Sequence, residues 1–275
     1  MNDRSCKQFS YQMRRDILDL CYRAGEEGAH LGGCMSLVEI LTVLYCEILR
    51  YDPKKLDWEY RDRLILSKAH ASIALYAAMH AARIYSDEEI RQPLYGSETF
   101  LYKHSRRNPS HGLEMSGGSL GQGLSFGVGI ALALITRGNM DARVYVIVGD
   151  GECNEGSIWE AAALAGHHRL SNLTVIIDKN QLQLDGHTKD IINMDNMEER
   201  WNAFGFCART VDGHNCEELL AAMQAPHAGP LAVIANTVKG HGISFAEGNW
   251  KWHHNYLTDL LYQEAFKEIE HDERC

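Results

Sequence analysis

Two kinds of apolar segment alternate along the chain. Stretches of helix length, in which apolar residues recur every three or four positions, are typical of amphipathic helices. They cover residues 8–24, 36–50, 72–84, 124–136, 157–169, 216–224 and 257–270. Short continuous apolar runs rich in β-branched residues predict buried strands. These runs are residues 64–66, 144–148, 174–177 and 231–236.

Continuous apolar strands separated by helices are typical of a parallel sheet that helices cover on both faces. No obvious linker, internal repeat or low-complexity run interrupts the pattern, and the chain has only five prolines. The sequence therefore predicts the α/β class, with one doubly wound, mostly parallel sheet and helices on both of its faces. We expect a single domain over residues 1–275.

Composition and charge narrow the possible partners. Of the 275 residues 45% are hydrophobic and 23% charged, which excludes a disordered or collagen-like chain. The net charge of −10 argues against a protein held on nucleic acid mainly by phosphate contacts. No uninterrupted apolar stretch approaches the about 20 residues of a membrane helix, and the first ten residues lack a signal-peptide core. We expect a cytoplasmic protein with eight reduced cysteines and with no nucleic-acid or membrane partner.

Polar residues and glycines directly follow the four predicted strands. The carboxyl ends of parallel strands share one edge of the sheet, and ligands bind there in doubly wound folds. The segments at that edge are Ser-Lys-Ala-His at 67–70, Gly-Asp-Gly-Glu at 149–152, Asp-Lys-Asn-Gln at 178–181 and Thr-Val-Lys-Gly-His at 237–241. They are expected to converge on one site.

Asp150 stands between two glycines, just before a predicted helix. Glycines let the backbone approach an anion closely, and a helix N-terminus adds partial positive charge. A carboxylate in the same turn repels a bare phosphate, but a bridging Mg²⁺ removes the conflict, because it binds one or two protein oxygens together with phosphates. Asn180, at the next strand end, offers a neutral oxygen. Taken alone, the segment also fits a plain turn with a helix-capping Asp.

A second glycine cluster suggests a different cofactor. Gly121-Gln122-Gly123 with Gly127 is close to a dinucleotide-binding fingerprint, and Asp141 follows 20 residues after Gly121. That motif requires a preceding strand, and residues 111–116 do not have the pattern of one. The sequence therefore disfavours a nicotinamide-dependent dehydrogenase.

Four separate motifs together resemble the N-terminal half of transketolases, which are thiamine diphosphate enzymes. They are Ala29-His30-Leu31-Gly32-Gly33 with the apolar residues 36–45, the segment Leu66-Ser67-Lys68-Ala69-His70, the glycine-rich residues 114–123, and Gly149-Asp150-Gly151 with Asn180. The likeness extends from about Tyr11 to His254. One departure is Ala69, where the family usually has glycine. The resemblance implies the thiamine diphosphate-binding fold with thiamine diphosphate and Mg²⁺ as cofactors.

The resemblance also implies roles for individual residues. The Mg²⁺ ligands would be the side chains of Asp150 and Asn180 and the main-chain oxygen of Leu182. Cofactor contacts would be His70, Gly118, Leu120, Gly151, Glu155 and Asn180. The catalytic histidines of the substrate channel would be His30, His104 and His253. Glu155 and Glu160 resemble acidic residues near the family's dimer contact. Arg106 and Arg107 are either a solvated pair or a contact to an acidic substrate, and His241 is either a strand-end ligand or a loop residue.

A complete transketolase is more than twice this length, and its next domain supplies the glutamate that activates the cofactor. The resemblance therefore implies the N-terminal subunit of a split enzyme that moves a two-carbon ketol unit from a ketose, such as a sugar phosphate or a similar anionic sugar, to an aldose. We expect a companion C-terminal subunit, with which the chain forms an α₂β₂ assembly. Two alternatives stay open: another thiamine diphosphate-dependent ketol or acyl synthase, and a non-catalytic regulatory paralogue.

Overall fold

The computed structural model describes residues 3–96 and 99–272, and five strands form one parallel sheet in it. The strands are β1 (Arg63–Leu66), β2 (Val144–Gly149), β3 (Leu173–Lys179), β4 (Cys207–Asp212) and β5 (Leu231–Asn236). Their order across the sheet is β1-β2-β3-β5-β4, and each neighbouring pair is parallel. The four predicted strands are confirmed. The fifth, β4, was missed because it lies at an edge of the sheet, where polar residues interrupt its apolar pattern.

Eleven helices are formed by the residues that the structure describes. They are α1 (Asp3–Arg23), α2 (Leu31–Met35), α3 (Val38–Val43), α4 (Ser72–Ala81), α5 (Asp87–Ile90), α6 (Gln122–Thr136), α7 (Gly156–His167), α8 (Thr188–Ile191), α9 (Met197–Ala203), α10 (Cys216–Gln224) and α11 (Asp259–Asp272). All seven predicted helices are present. Helix α10 has the predicted ends and the other six have shifted ends, and in the predicted segment 36–50 a π-helical turn, Leu44–Ile48, follows α3. The missed helices α2, α5, α8 and α9 are too short to show a helical period.

Helices cover both faces of the sheet, as predicted. Along β2, Tyr145 and Ile147 join one apolar core, while Val144, Val146 and Val148 join the other. Alternation of this kind follows from the two-residue period of a strand. The first core is completed by α1, α3, α4, α10 and α11, and the second by α6, α7 and α9. The chain therefore has the doubly wound α/β architecture.

One helical run, Leu31–Ile48, is long and apolar enough to cross a membrane by length and composition, with a mean hydropathy of 1.6. Within the fold 83% of this run is buried, as in the core helix of a globular protein. The run does not contradict the prediction of no uninterrupted apolar stretch of membrane length, because Glu39 and Glu47 interrupt it. The seven cysteines among the described residues are free thiols, and Cys275 lies outside those residues.

Candidate active site

The loops after β1, β2, β3 and β5 meet at the carboxyl edge of the sheet, as the sequence predicted. The Ser67 hydroxyl, after β1, donates to Glu152 in the loop after β2. The amide of Asp150 donates to the carbonyl of Asp178 in β3 at 3.2 Å. The Thr237 hydroxyl, after β5, donates to the Asp178 carboxylate. These bonds join four chain segments into one polar site.

Asp178 is fully buried and forms an ion pair with Lys68. Its carboxylate also accepts hydrogen bonds from Ser36 Oγ at 2.8 Å, from Asn180 Nδ2 at 3.2 Å and from the Thr237 hydroxyl. Burial by itself raises the pKa of this carboxyl, but the Lys68 ammonium and the other donors outweigh burial and hold the pKa below its usual value. The Asp178 charge is thus balanced within the chain.

Asp150 is also buried, at 4% exposure, but only neutral groups donate to it. These donors are the amides of Gly151 at 2.8 Å and Gln181 at 2.7 Å and the Thr188 hydroxyl at 3.4 Å. Burial, followed by the nearby Asp178 charge, raises the pKa of Asp150 to about 6. Among the described residues, none forms an ion pair with Asp150. Lys68 acts on this carboxylate only at a distance, so Asp150 has no directly paired cation, and a bound metal ion could supply one.

A strained turn connects Asp150 with the other two predicted metal ligands. Gln181 has a φ of 62°, a left-handed conformation that is uncommon for residues other than glycine. The turn directs the Leu182 carbonyl to within 3.1 Å of Lys239 Nζ, so this oxygen already faces a cation. Asn180 Oδ1 accepts from the Leu182 amide at 3.1 Å. One carboxylate, one amide and one main-chain oxygen are a donor set that suits Mg²⁺ shared with a diphosphate.

Lys239 is a buried cation that the sequence analysis did not select. It is 2% exposed, and its ammonium donates to the Leu182 carbonyl and, at 3.0 Å, to His253 Nδ1. Burial and the neighbouring Lys68 lower its pKa to about 8. No carboxylate forms an ion pair with it in the described part of the chain. Its position just after β5 was the available signal, because that is where ligand-binding residues collect.

Five histidines meet beside Lys239. Ring centroids of His70, His104, His253 and His254 lie 5.3, 6.0, 5.3 and 4.7 Å from that of His30. The structure thus brings together the four histidines selected from the sequence and adds His254, whose position next to His253 was the only signal for it.

The charge state of this cluster follows from its burial. Burial is the largest cause in each case. Neighbouring histidines and lysines further disfavour protonation, so that the pKa of His30 falls to about 2 and that of His253 to about 4. The pKa values of His70, His104 and His254 are also lowered. Imidazoles with such values are neutral near pH 7, and each then has one N–H donor and one acceptor nitrogen.

Gly32 and Gly33, which follow His30 in the first of the four family motifs, allow distant segments to pack at this cluster. Ala29 and Asn255 exchange backbone hydrogen bonds of 2.9 and 3.1 Å, which place His30 beside the segment of His253. A Cβ on Gly32 would lie 2.8 Å from the Trp252 carbonyl oxygen. The Gly33 carbonyl accepts from Lys68 Nζ at 3.2 Å. A larger residue at Gly32 would push these two segments apart.

The glycine-rich loop before α6 is held by Glu152 rather than by Glu155. Glu152 is buried and accepts from the amides of Gly121 at 2.8 Å and Gly149 at 3.0 Å. Glu155 and Glu160 are exposed at the surface of α7. Gly118 is exposed and Leu120 is half-buried in this loop, while Gly151 packs against Gln183, which lies 2.7 Å from where a Gly151 Cβ would be. The role of Glu155 toward a cofactor therefore stays a prediction.

The structure also accounts for the departure at Ala69 and places His241. The Ala69 methyl occupies the space over Gly117, where an added Cβ would collide with it. His241 lies in a separate cluster, stacked on His214 with ring centroids 3.7 Å apart and bonded to Glu247 at 3.1 Å.

Comparisons with known proteins agree with this geometry. The family described as transketolase, thiamine diphosphate binding domain, matches residues 11–267. The 6-deoxy-6-sulfo-D-fructose transketolase subunit SqwG of Clostridium sp. (strain MSTE9) is 41% identical over 244 residues, which are 88% of each chain. An apulose-4-phosphate transketolase subunit from Phocaeicola vulgatus is 36% identical over 263 residues, which are 94% of this chain and 92% of that protein.

Among solved structures, a crystal structure of transketolase from Campylobacter jejuni superimposes with a TM-score of 0.90 at 29% identity. The match covers 98% of this chain and 43% of the transketolase. The chain therefore spans less than half of that protein and nearly the full length of the two subunits.

Proposed function

This chain belongs to the transketolase family, where it corresponds to the thiamine diphosphate-binding domain, and we propose that it acts as the N-terminal subunit of a split ketol-transferring enzyme. The observation that carries this proposal is the convergence of five neutral histidines on the edge of the sheet that holds Asp150 and Lys239. Such a site can bind a diphosphate and move protons at a sugar hydroxyl.

The donors at the sheet edge suit the two halves of a metal-diphosphate group. We assign the metal to Asp150, Asn180 and the Leu182 carbonyl, because the turn that carries the last two oxygens is bonded to the Asp150 carboxylate through the Gln181 amide. Lys239 supplies positive charge and His70 an N–H donor for the diphosphate. We place the diphosphate against Gly151, Gly118 and Leu120, while the Gly151 amide itself donates to Asp150. Thiamine diphosphate, when bound, would supply a cationic thiazolium ring that serves as an electron sink for the carbanion.

The histidines handle protons around the reacting sugar. Because His30, His104 and His253 are neutral, each can donate one N–H to a developing alkoxide or accept a hydroxyl proton. His253 accepts from Lys239 at Nδ1, so its remaining proton is on Nε2. Its N–H therefore points away from the lysine, and its orientation is fixed. His30 contacts the four other rings and so lies at the centre of the cluster.

The relatives suggest the class of substrate and the assembly. Their names specify sugars that carry a sulfonate or a phosphate, and they describe both proteins as subunits. We therefore propose an anionic ketose as donor, a companion chain that supplies the aminopyrimidine side of the cofactor site, and an α₂β₂ assembly in the cytoplasm.

Reconstitution tests this function. The chain is co-expressed with its companion and assayed for ketol transfer from a panel of ketoses with thiamine diphosphate and Mg²⁺, while light scattering gives the mass of each species. We expect activity only from the mixed assembly. Activity of this chain alone, or no transfer from any ketose, would contradict the proposal.

A variant locates the chemistry within that assembly. His30→Ala should lower kcat about 10²–10⁴-fold with nearly unchanged affinity for thiamine diphosphate, because a group that moves protons acts after the cofactor has bound. His168→Ala, at an exposed histidine after α7, is the matched control and should behave as the wild type. Wild-type kinetics for His30→Ala would return this residue to a structural role.

A further inference from the structure

His214 lies outside the cluster of five histidines and links three segments of the chain. It follows β4 by two residues, and 14% of its side chain is exposed. Its Nε2 accepts a hydrogen bond of 2.8 Å from the amide of Val238, the residue before Lys239. Its Nδ1 lies 2.7 Å from the carboxylate of Glu39 in α3. One imidazole therefore ties α3 and the loop after β4 to the turn that carries Lys239.

The two hydrogen bonds determine the protonation of His214. Its Nε2 carries no proton, because it accepts from the Val238 amide, so the proton of the ring is on Nδ1 and points at Glu39. Glu39 is 7% exposed. Burial by itself raises its pKa, but the Arg14 charge and the His214 hydrogen bond outweigh burial and hold the pKa below its usual value. The carboxylate is therefore an acceptor, and His214 is neutral with a fixed tautomer.

His241 completes the support of this ring. Its imidazole is stacked on that of His214, with an angle of 26° between the ring planes. Its Nδ1 lies 3.1 Å from a carboxylate oxygen of Glu247, and its main-chain carbonyl accepts from Arg14 Nη1 at 3.1 Å. The His214 ring is thus held at both nitrogens and on one face, which fixes its orientation.

The amide bonded to His214 begins the turn from which Lys239 extends. Within this turn the His241 amide donates to the Val238 carbonyl at 3.2 Å, so that Val238 is bonded at both its amide and its carbonyl. The Lys239 side chain runs from the turn into the site, where it is 2% exposed. A displaced turn would carry the ammonium away from the Leu182 carbonyl, which it approaches to 3.1 Å. The place of the Lys239 charge therefore depends on the place of the Val238 amide.

We propose that His214 is a positioning residue: its Nε2 fixes the Val238 amide and thereby places the Lys239 ammonium where it can bind the diphosphate of the cofactor. His214 acts through Lys239 and has no chemical role of its own. The inference rests on the proposed function, because that function assigns Lys239 to the diphosphate. It also gives His241 a role, as the ring that supports His214 rather than as a ligand.

Two amide variants separate the bonds of the two ring nitrogens. The carboxamide of His214→Gln reaches about as far as Nε2 and can accept from the Val238 amide, whereas that of His214→Asn reaches about as far as Nδ1 and can donate only to Glu39. Calorimetric titration of the assembled enzyme with thiamine diphosphate and Mg²⁺ compares them. We expect His214→Asn to weaken the affinity about tenfold, because one hydrogen bond is lost, and His214→Gln to stay within about threefold of the wild type.

Stability should change in the opposite order, because Glu39 keeps a donor in His214→Asn but loses it in His214→Gln. Urea unfolding of the cofactor-free chain measures this, and His168→Asn, at an exposed histidine, is the control that should change neither quantity. A structural role alone would make the affinity follow the stability, with His214→Gln the weaker binder. That result, or equal affinities for the two variants, would overturn the proposal.

A double substitution tests whether His214 acts through Lys239. In a Lys239→Met background, His214→Asn should weaken the affinity for thiamine diphosphate by less than about twofold, because the group that His214 positions is gone. The same loss as in the wild-type background would overturn the proposal.

If the wild-type assembly binds no thiamine diphosphate, the proposed function fails, and amide hydrogen exchange of the cofactor-free chain decides on the positioning bond. The Val238 amide should then exchange about tenfold faster in His214→Asn than in His214→Gln. Equal exchange rates would refute the bond on which the positioning role depends.

Discussion

Asp150 and Asp178 are buried side by side at the carboxyl edge of the sheet, and what balances their charges differs. Asp178 pairs with Lys68, and three further side chains donate to it. Asp150 receives hydrogen bonds from neutral groups only, and its pKa is raised while that of Asp178 is lowered. The comparison separates a carboxylate that holds the fold together from one that is available to a ligand.

The physical basis of this difference is desolvation. Moving a charge out of water costs several kcal/mol unless a partner compensates it. Lys68 compensates Asp178 within the folded chain, so that pair needs nothing from outside. The free-energy cost of burying the unpaired Asp150 charge remains, and a divalent cation would remove it on binding. Metal binding is thereby coupled to the charge of Asp150.

The largest expected effect comes from breaking the internal pair. Asp178→Asn should lower the free energy of unfolding by about 3 kcal/mol, because it leaves the Lys68 ammonium buried without its counter-charge. Urea unfolding of the metal-free chain measures this, with Asp185→Asn, at an exposed aspartate, as the control. A loss no larger than that of the control would show that the pair contributes nothing to stability.

Removing the Asp150 charge should affect ligand binding strongly and stability little, the reverse of what is expected for Asp178. Asp150→Asn should leave the free energy of unfolding unchanged or slightly higher, and should weaken Mg²⁺-dependent binding of thiamine diphosphate more than about 100-fold in the assembled enzyme. Calorimetric titration with and without Mg²⁺ measures the affinity. Retained Mg²⁺-dependent affinity would refute the metal assignment, and a stability loss like that of Asp178→Asn would erase the distinction between the two sites.

The sequence predicted the edge of the sheet at which both carboxylates lie. Runs such as 144–148 are apolar throughout because both faces of the sheet are covered, so the strand ends and the residues after them could be located. The edge strand β4 was not predicted, because only one of its six residues is buried and its sequence therefore lacks a continuous apolar run. Local pattern therefore predicts central strands better than edge strands.

Which carboxylate is paired could not be predicted, because Lys68 and Asp178 are 110 residues apart in the chain. The same limit applies to Lys239, whose burial depends on contacts with Leu182 and His253. The family motifs located four of the histidines, but their charge state depends on how deeply the fold buries each ring. Sequence patterns report residue type and order, whereas pKa values depend on tertiary neighbours.

The smallest expected effect is a pH dependence that only one of the two carboxylates produces near pH 5. The pKa of Asp150 is about 6 in the folded chain and 3.8 in a reference carboxyl, so between about pH 4 and 6 the folded state holds a proton that the unfolded state has released. Through this group, the free energy of unfolding of the metal-free chain therefore falls as pH rises across that window, and levels off above it. The pKa of Asp178 is shifted downward, so its stabilisation is present above pH 3.8 and is lost only at lower pH.

Subtracting the unfolding free energy of the wild type from that of the variant isolates the contribution of Asp150 and its direct electrostatic neighbours, because the groups distant from this residue titrate alike in both proteins. The stability of Asp150→Asn minus that of the wild type should grow by the order of 1–2 kcal/mol between pH 4 and pH 6 and then stay constant. Urea unfolding at four pH values in a chelating buffer measures the difference. A flat difference would mean that Asp150 is compensated in the folded chain as Asp178 is, and the case for an external cation at this carboxylate would then rest on the ligand titration alone.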